Sequence, residues 1–158
     1  MTDARFEDGR EAPLRLRAAD AADVEILSAL VQDAVLSGAE IRYDRRARRL
    51  DLLVNRFRWE DRAAAERRGR PYERVRAVLT VEGVLHVASQ GFDRADRDSI
   101  LSILAIVWTP RADAAGRIEI VLAGDGAIAA DVEYLGLALA DVTRPYRAPS
   151  GHPPSHPD

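Results

Sequence analysis

From Ile41 onward the chain holds no helical stripe long enough to carry a crossover between parallel strands, and this absence limits its possible folds most sharply. Apolar and polar residues alternate instead, as at Ile41 and Tyr43, at Val75, Ala77, Leu79 and Val81, at Ile118, Ile120 and Leu122, and at Ile128, Ala130, Val132 and Tyr134. A period of two marks a strand with one buried face. Leu50 to Trp59 reads as the strand returning from a charged turn at 44–49. Asp125-Gly126 is the sharpest hairpin signal, because both central residues of a type I′ turn need positive φ. Hairpin-length connections of this kind build an antiparallel sheet and exclude a doubly wound parallel one.

One helix precedes this series. Leu14 and Leu16 alternate with Arg15 and Arg17 as a short first strand, and Asp20 is placed to cap a helix with Asp23 in its first turn. Val24, Leu27, Leu30, Val31 and Ala34 fall on one stripe that Ser37-Gly38 ends. The expected fold is therefore α+β: a bent, mostly antiparallel sheet of six to eight strands, with one long N-terminal helix packed on one face. Residues 60–71 have the makings of a helical turn or two that Gly69 and Pro71 close, but with nothing apolar to fix them they read as an exposed, mobile loop. Glu82-Gly83 interrupts its strand either as a bulge in one bent strand or as a tight hairpin turn. Ser99 to Trp108, apolar on both faces, fits a central strand, with a short buried helix as the alternative. Residues 1–12 are expected to be a mobile arm, 13–143 a single domain, and 144–158 a disordered Pro-rich tail.

At 158 residues and 47% apolar composition, the chain has material for one core. It has no Cys, and all 23 of its basic residues are Arg, so thiolate and Cys-metal chemistry is excluded, as are lysine Schiff bases and the P-loop lysine. No apolar run approaches the ~18 residues of a membrane span, and the start lacks a signal-peptide core, so a cytoplasmic protein without membrane contact is expected.

Charge is unevenly placed. Residues 42–76 contain thirteen Arg against six acids, within a chain of formal net charge −3. Such a segment reads first as a solvated face and second as a surface for an anion, with Arg45, Arg46, Arg48 and Arg49 of the hairpin turn as the candidate contacts. The densest chemistry is N-R-F-R-W-E at 55–60. On a strand, Asn55, Phe57 and Trp59 face one way and Arg56 and Arg58 the other, while Gln32-Asp33 at the helix end supplies a counter-charge for Arg56. Gln32, Asp33, Asn55, Arg56, Arg58, Trp59 and Glu60 thus form either a polar network pinning helix to sheet or a ligand contact.

Other candidates are weaker. His86 is isolated, and prolines between His152 and His156 forbid the helix that would aim both rings at one metal. Asp93, Asp96 and Asp98 are interleaved with Arg94 and Arg97 and lack the calcium-loop pattern. No serine sits in a nucleophile motif. No catalytic residue, metal site or cofactor is expected.

Four runs carry a family likeness: V-Q-D-A-V at 31–35, N-R-F-R-W-E at 55–60, D-R-D-S-I-L-S-I-L-A-I at 96–106 and G-A-I-A-A-D-V-E at 126–133. Through them the chain resembles an uncharacterised bacterial family, domain of unknown function 2948, across roughly residues 13–145. The resemblance implies a single-domain cytosolic protein and brings no activity or cofactor. The functional expectation is a non-enzymatic binding or adaptor module that contacts a protein or small anion through residues 41–76. A homo-oligomer is compatible with it. RNA binding is the alternative, with Tyr43, Phe57, Trp59 or Tyr72 as stacking surfaces. A small enzyme using Asp33, Asn55, Arg56 and Glu60 ranks last.

Overall fold

The computed structural model describes residues 13–93 and 95–155. Arg15–Ala18 forms β1, Ala21–Val31 α1, Val35–Ser37 β2, Ile41–Asp44 β3, Arg49–Phe57 β4, Arg62–Arg68 α2 and Glu73–Val81 β5. There follow β6 (Val84–Gln90), β7 (Ile100–Pro110), β8 (Gly116–Leu122), β9 (Gly126–Val132), β10 (Leu137–Asp141) and β11 (Tyr146–Arg147). Single 3₁₀ turns occupy Gly38–Glu40 and Trp59–Asp61. The sheet runs β1-β10-β5-β4-β2-β7-β8-β9-β6, with β3 also on β4 and β11 also on β5. Every strand pairing among the described residues is antiparallel.

The sheet bends at one corner. β5 continues into β6 and β9 into β10, while β5 pairs with β10 and β6 with β9. At the bend the Glu82 amide donates to the Gly136 carbonyl at 2.9 Å, and the Glu133 amide donates to the Gly83 carbonyl at 2.8 Å. Two paired stretches therefore turn together, and Gly83 takes a φ of 65° that L side chains resist. Of the two readings of Glu82-Gly83, the bent strand holds and the hairpin turn does not. Inner-face residues Leu50, Leu52 and Val54 of β4, Leu79 and Val81 of β5, and Leu137 and Leu139 of β10 then meet Val24, Leu27 and Val31 of α1 in one core.

The expected six to eight strands beside one long helix must be corrected: the described residues form eleven strands and two short helices. The helix begins as expected, with the Asp20 side chain accepting from the Asp23 amide at 2.8 Å. It ends at Val31, because Gln32 leaves helical geometry and Asp33 adopts a φ of 63°. Ala34 is buried all the same, but Val35–Ser37 pairs with β4 and β7 as a strand. An apolar run this short satisfies helical and strand periods alike. The expected loop at 60–71 is also corrected. Ala64 and Ala65 are buried on α2, and Gly69 closes that helix in the left-handed region with its amide on the Ala65 and Glu66 carbonyls. Small side chains anchor this helix by close approach, a signal that a search for large apolar residues overlooks.

Elsewhere the outcomes are mixed. Residues 100–110 form a strand, not a helix. The β8–β9 hairpin forms, but positive φ falls on Gly124 and Asp125, one residue earlier than the sequence suggested. The segment expected as a tail from residue 144 adds β11 to β5 and buries Ala148. The expected arm 1–12 and His156 lie outside the described residues. No helix among the described residues is long and apolar enough to cross a membrane.

A Cβ on Gly83 would stand 2.8 Å from Cε1 of Tyr134 and would face the left-handed backbone penalty as well. Gly83→Ala is therefore expected to lower unfolding stability by about 1–2 kcal/mol in urea titration. An unchanged midpoint would mean that the corner bends without need of a glycine.

Candidate functional site

Alternation on β4 places Leu50, Leu52, Val54 and then Arg56 on the inward face, so a guanidinium continues an apolar stripe. Arg56 is 0% exposed. A buried charge is tolerated only when it is paired and fully hydrogen-bonded, and here every N–H finds an acceptor. Nε and Nη2 donate to the two carboxylate oxygens of Asp141, each at 3.1 Å. Nη1 and Nη2 donate to those of Glu60, each at 2.8 Å. Nη1 also reaches the Phe57 carbonyl at 3.4 Å. Asp141 ends β10 and in addition accepts from the Leu14 amide at 3.0 Å, whereas Glu60 is delivered by the 3₁₀ turn that follows β4. One guanidinium thus ties β4, β10, the entry to β1 and the turn before α2.

A second layer of ion pairs lies beneath α2. Arg58 donates to Glu73 at 2.6 Å, and Arg70 grips both oxygens of the buried Asp61 at 2.6 and 2.5 Å. Phe57 packs edge-on to Trp59 with centroids 4.7 Å apart, and the Trp59 indole N–H donates to the Gln32 carbonyl at 3.0 Å. Burial alone would raise the pKa of Glu60, but the hydrogen bonds and charge of Arg56 hold it below the usual range. Asp61 is likewise pulled down against its own burial, chiefly by the hydrogen bonds from Arg70.

The seven residues singled out at 32–33 and 55–60 accordingly gather around the end of β4, with roles that differ from expectation. Arg56 takes its counter-charges from Glu60 and Asp141, not from Gln32-Asp33. Gln32 supplies a backbone acceptor, and Asp33 acts electrostatically on Arg74. Asn55, on the outer face, accepts from Arg74 through its side chain at 2.7 Å and through its carbonyl at 3.1 Å. Phe57 and Arg58 are both buried, so the alternation expected across 55–59 breaks where β4 gives way to the 3₁₀ turn. Asp141 was missed, although its sequence carries the matching signal: in Leu137, Leu139, Asp141 an acid falls in phase with the buried face, as Arg56 does after Leu50, Leu52 and Val54.

The hairpin turn holds the remaining candidates. Arg49 pairs with Asp51 at 2.9 Å and Arg48 with Glu133, while Arg45 and Arg46 are exposed and make no ion pair among the described residues. Nearby, the solvent face of the sheet forms an open trough of about 570 Å³. Its floor combines Leu53, Val78 and Ala138 with Asp51 and Thr80, which share a hydrogen bond of 2.7 Å. Glu40, Arg42, Arg49 and Glu82 also line it, Glu82 being held by Arg17 at 2.8 Å. Glu40 is engaged by Arg76 at 2.6 Å, but Arg42, paired in register with Asp51 on β4, makes no ion pair among the described residues. No group of His, Cys, Asp or Glu suited to hold a metal ion occurs among them either.

Removing Arg56 strands a buried carboxylate, so Arg56→Ala should cost about 3–5 kcal/mol in a denaturant melt. Arg56→Met combined with Asp141→Leu, which removes both charges at similar volume, should recover much of that loss. Because the pKa of Glu60 is lowered on folding, its contribution is complete above the ordinary value of 4.5 and is lost as pH falls through the depressed one. Glu60→Gln should therefore flatten the decline of stability on acidification below about 4.5. An acid limb identical to wild type would remove Glu60 from the lock.

No curated protein and no solved structure matches the chain. A family model described as a protein of unknown function, DUF2948, matches residues 14–156 and so takes in the N-R-F-R-W-E run, the hairpin turn, the trough and Asp141. By that match, which covers nearly the whole sequence, the chain belongs to the DUF2948 family.

Proposed function

We propose that this protein is a non-enzymatic binding module that seats an extended, acidic segment of a partner protein in the trough of β3, β4, β5 and β10. The observation that carries this reading is Arg42. It lines the trough with no ion-pair partner among the described residues, while Arg48, Arg49, Arg56, Arg58, Arg62, Arg70 and Arg76 of the same basic segment are all engaged by acids. A floor of mixed character suits a peptide, whose side chains alternate between apolar and charged and whose backbone hydrogen-bonds to groups such as Thr80.

RNA ranks second. Arg45 and Arg46 offer phosphate contacts, but no aromatic residue lines the trough, and sequence-tolerant RNA binding draws on stacking surfaces. Phe57 is buried, and the Trp59 indole is committed to Gln32. The enzyme reading loses its support, because the donors of Arg56 are saturated and neither Arg56 nor Glu60 lines the trough.

Amide shifts in ¹⁵N-labelled protein discriminate the readings during titration with a Glu-Val-Glu-Val-Glu-Val peptide and, separately, with oligouridine. The peptide is expected to shift Arg42, Asp51 and Thr80, and Arg42→Glu should weaken it roughly tenfold or more, as loss of a charge-assisted contact implies. Arg45→Glu with Arg46→Glu should leave the peptide almost unaffected. Tight, salt-sensitive oligouridine binding centred on Arg45 and Arg46 would replace the protein partner with RNA.

A further inference from the structure

We infer that the seam between β3 and β6 is a second binding pocket, independent of the trough, for a small neutral molecule about the size of one six-membered ring. β3 pairs only with β4, and β6 only with β9, so each leaves one edge without a strand partner among the described residues. The turn that follows β3 is tied to the start of β6, where the Val84 amide donates to the Arg48 carbonyl at 2.8 Å. Beside the far end of β3, the Gly38 and Ala39 amides donate to the Ser99 and Arg97 carbonyls, each at 3.0 Å. Between these ties lies a pocket of about 120 Å³, more enclosed than the trough.

The lining defines the ligand. Ile41, Leu50, Val87, Phe92 and Ile128 supply apolar walls, and no charged residue contributes, which excludes ions. Tyr43 and Ser89 also line the pocket, and neither hydroxyl makes a hydrogen bond to another described residue. Edge strands add backbone groups that no neighbouring strand occupies. Apolar walls with a few polar groups are the composition of small-molecule sites in general. A cavity of ~150 Å³ accommodates benzene, so this smaller and only partly enclosed pocket takes one small ring whose hydroxyl or carbonyl group extends toward its opening.

Phenol, benzene and phenylacetate serve as probes, read by amide shifts and by the thermal midpoint of the full chain. Phenol is expected to raise the midpoint and to shift amides of Ile41 to Tyr43 and Val87 to Ser89, while phenylacetate, being charged, does neither. Ser89→Ile fills the pocket and should abolish the response. Tyr43→Phe combined with Ser89→Ala should weaken phenol about tenfold and leave benzene unchanged. Should Ser89→Ile fail to fold, Val87→Ala enlarges the pocket and must bind indole more tightly than wild type does. Absence of a phenol response at β3 and β6, persistence of that response in Ser89→Ile, binding of phenylacetate equal to phenol, or failure of Val87→Ala to favour indole would each overturn the assignment.

Discussion

Arg56 continues the inward face of β4 after Leu52 and Val54, and the surrounding architecture is arranged to make that position tenable. An unpaired guanidinium there would cost several kcal/mol, so the fold must bring two carboxylates to it from separate directions. Asp141 comes from β10 across the intervening β5, and Glu60 comes from the chain's own next turn. Meeting both demands fixes where β10 ends, where β1 enters through Leu14, and how the chain leaves β4 for α2. Hydrophobic burial supplies most of the stability of such a core, but it is tolerant of direction. The bidentate pairs are not, and they specify the arrangement.

The charge asymmetry along the sequence follows from the same logic. Residues 42–76 are rich in Arg, and the acids that answer them lie partly inside the segment and partly at Glu40, Glu133 and Asp141. In the folded chain the basic stretch and the acidic remainder meet as partners. Of the seven positive charges in excess along the segment, Glu40, Glu133 and Asp141 answer three at contact distance, and the exposed Arg42, Arg45, Arg46 and Arg67 make no ion pair among the described residues.

Much of the strand content was legible because period-two alternation survives wherever one sheet face is buried, as at Leu50 to Val54 and Val75 to Val81. The cap at Asp20 was equally plain, since it depends on residues three apart. Less was visible where a decision is made at long range. Whether Ala34, Val35 and Leu36 extend a helix or cross the sheet depends on the edges of β4 and β7, which lie beyond any local window. The partners of Arg56 were misplaced for a related reason. Asp33 stands close to the helix that packs on the sheet, and nearness of that kind is readable, whereas Asp141 is 85 residues away from Arg56 and joins it only through the register of β10 on β5.

That separation bears on how the chain is made. β1, at residues 15–18, has a single strand partner among the described residues, β10, at residues 137–140. During synthesis β1 therefore waits for more than a hundred further residues to emerge before its partner exists, and the Arg56 side chain waits with it for Asp141. Until then β4 and β5 can pair, but their inner faces are only partly covered, which is the condition under which nascent chains aggregate or engage chaperones. Productive folding is thus weighted toward the emergence of β10, which closes both the hydrophobic surface and the buried charge in one step.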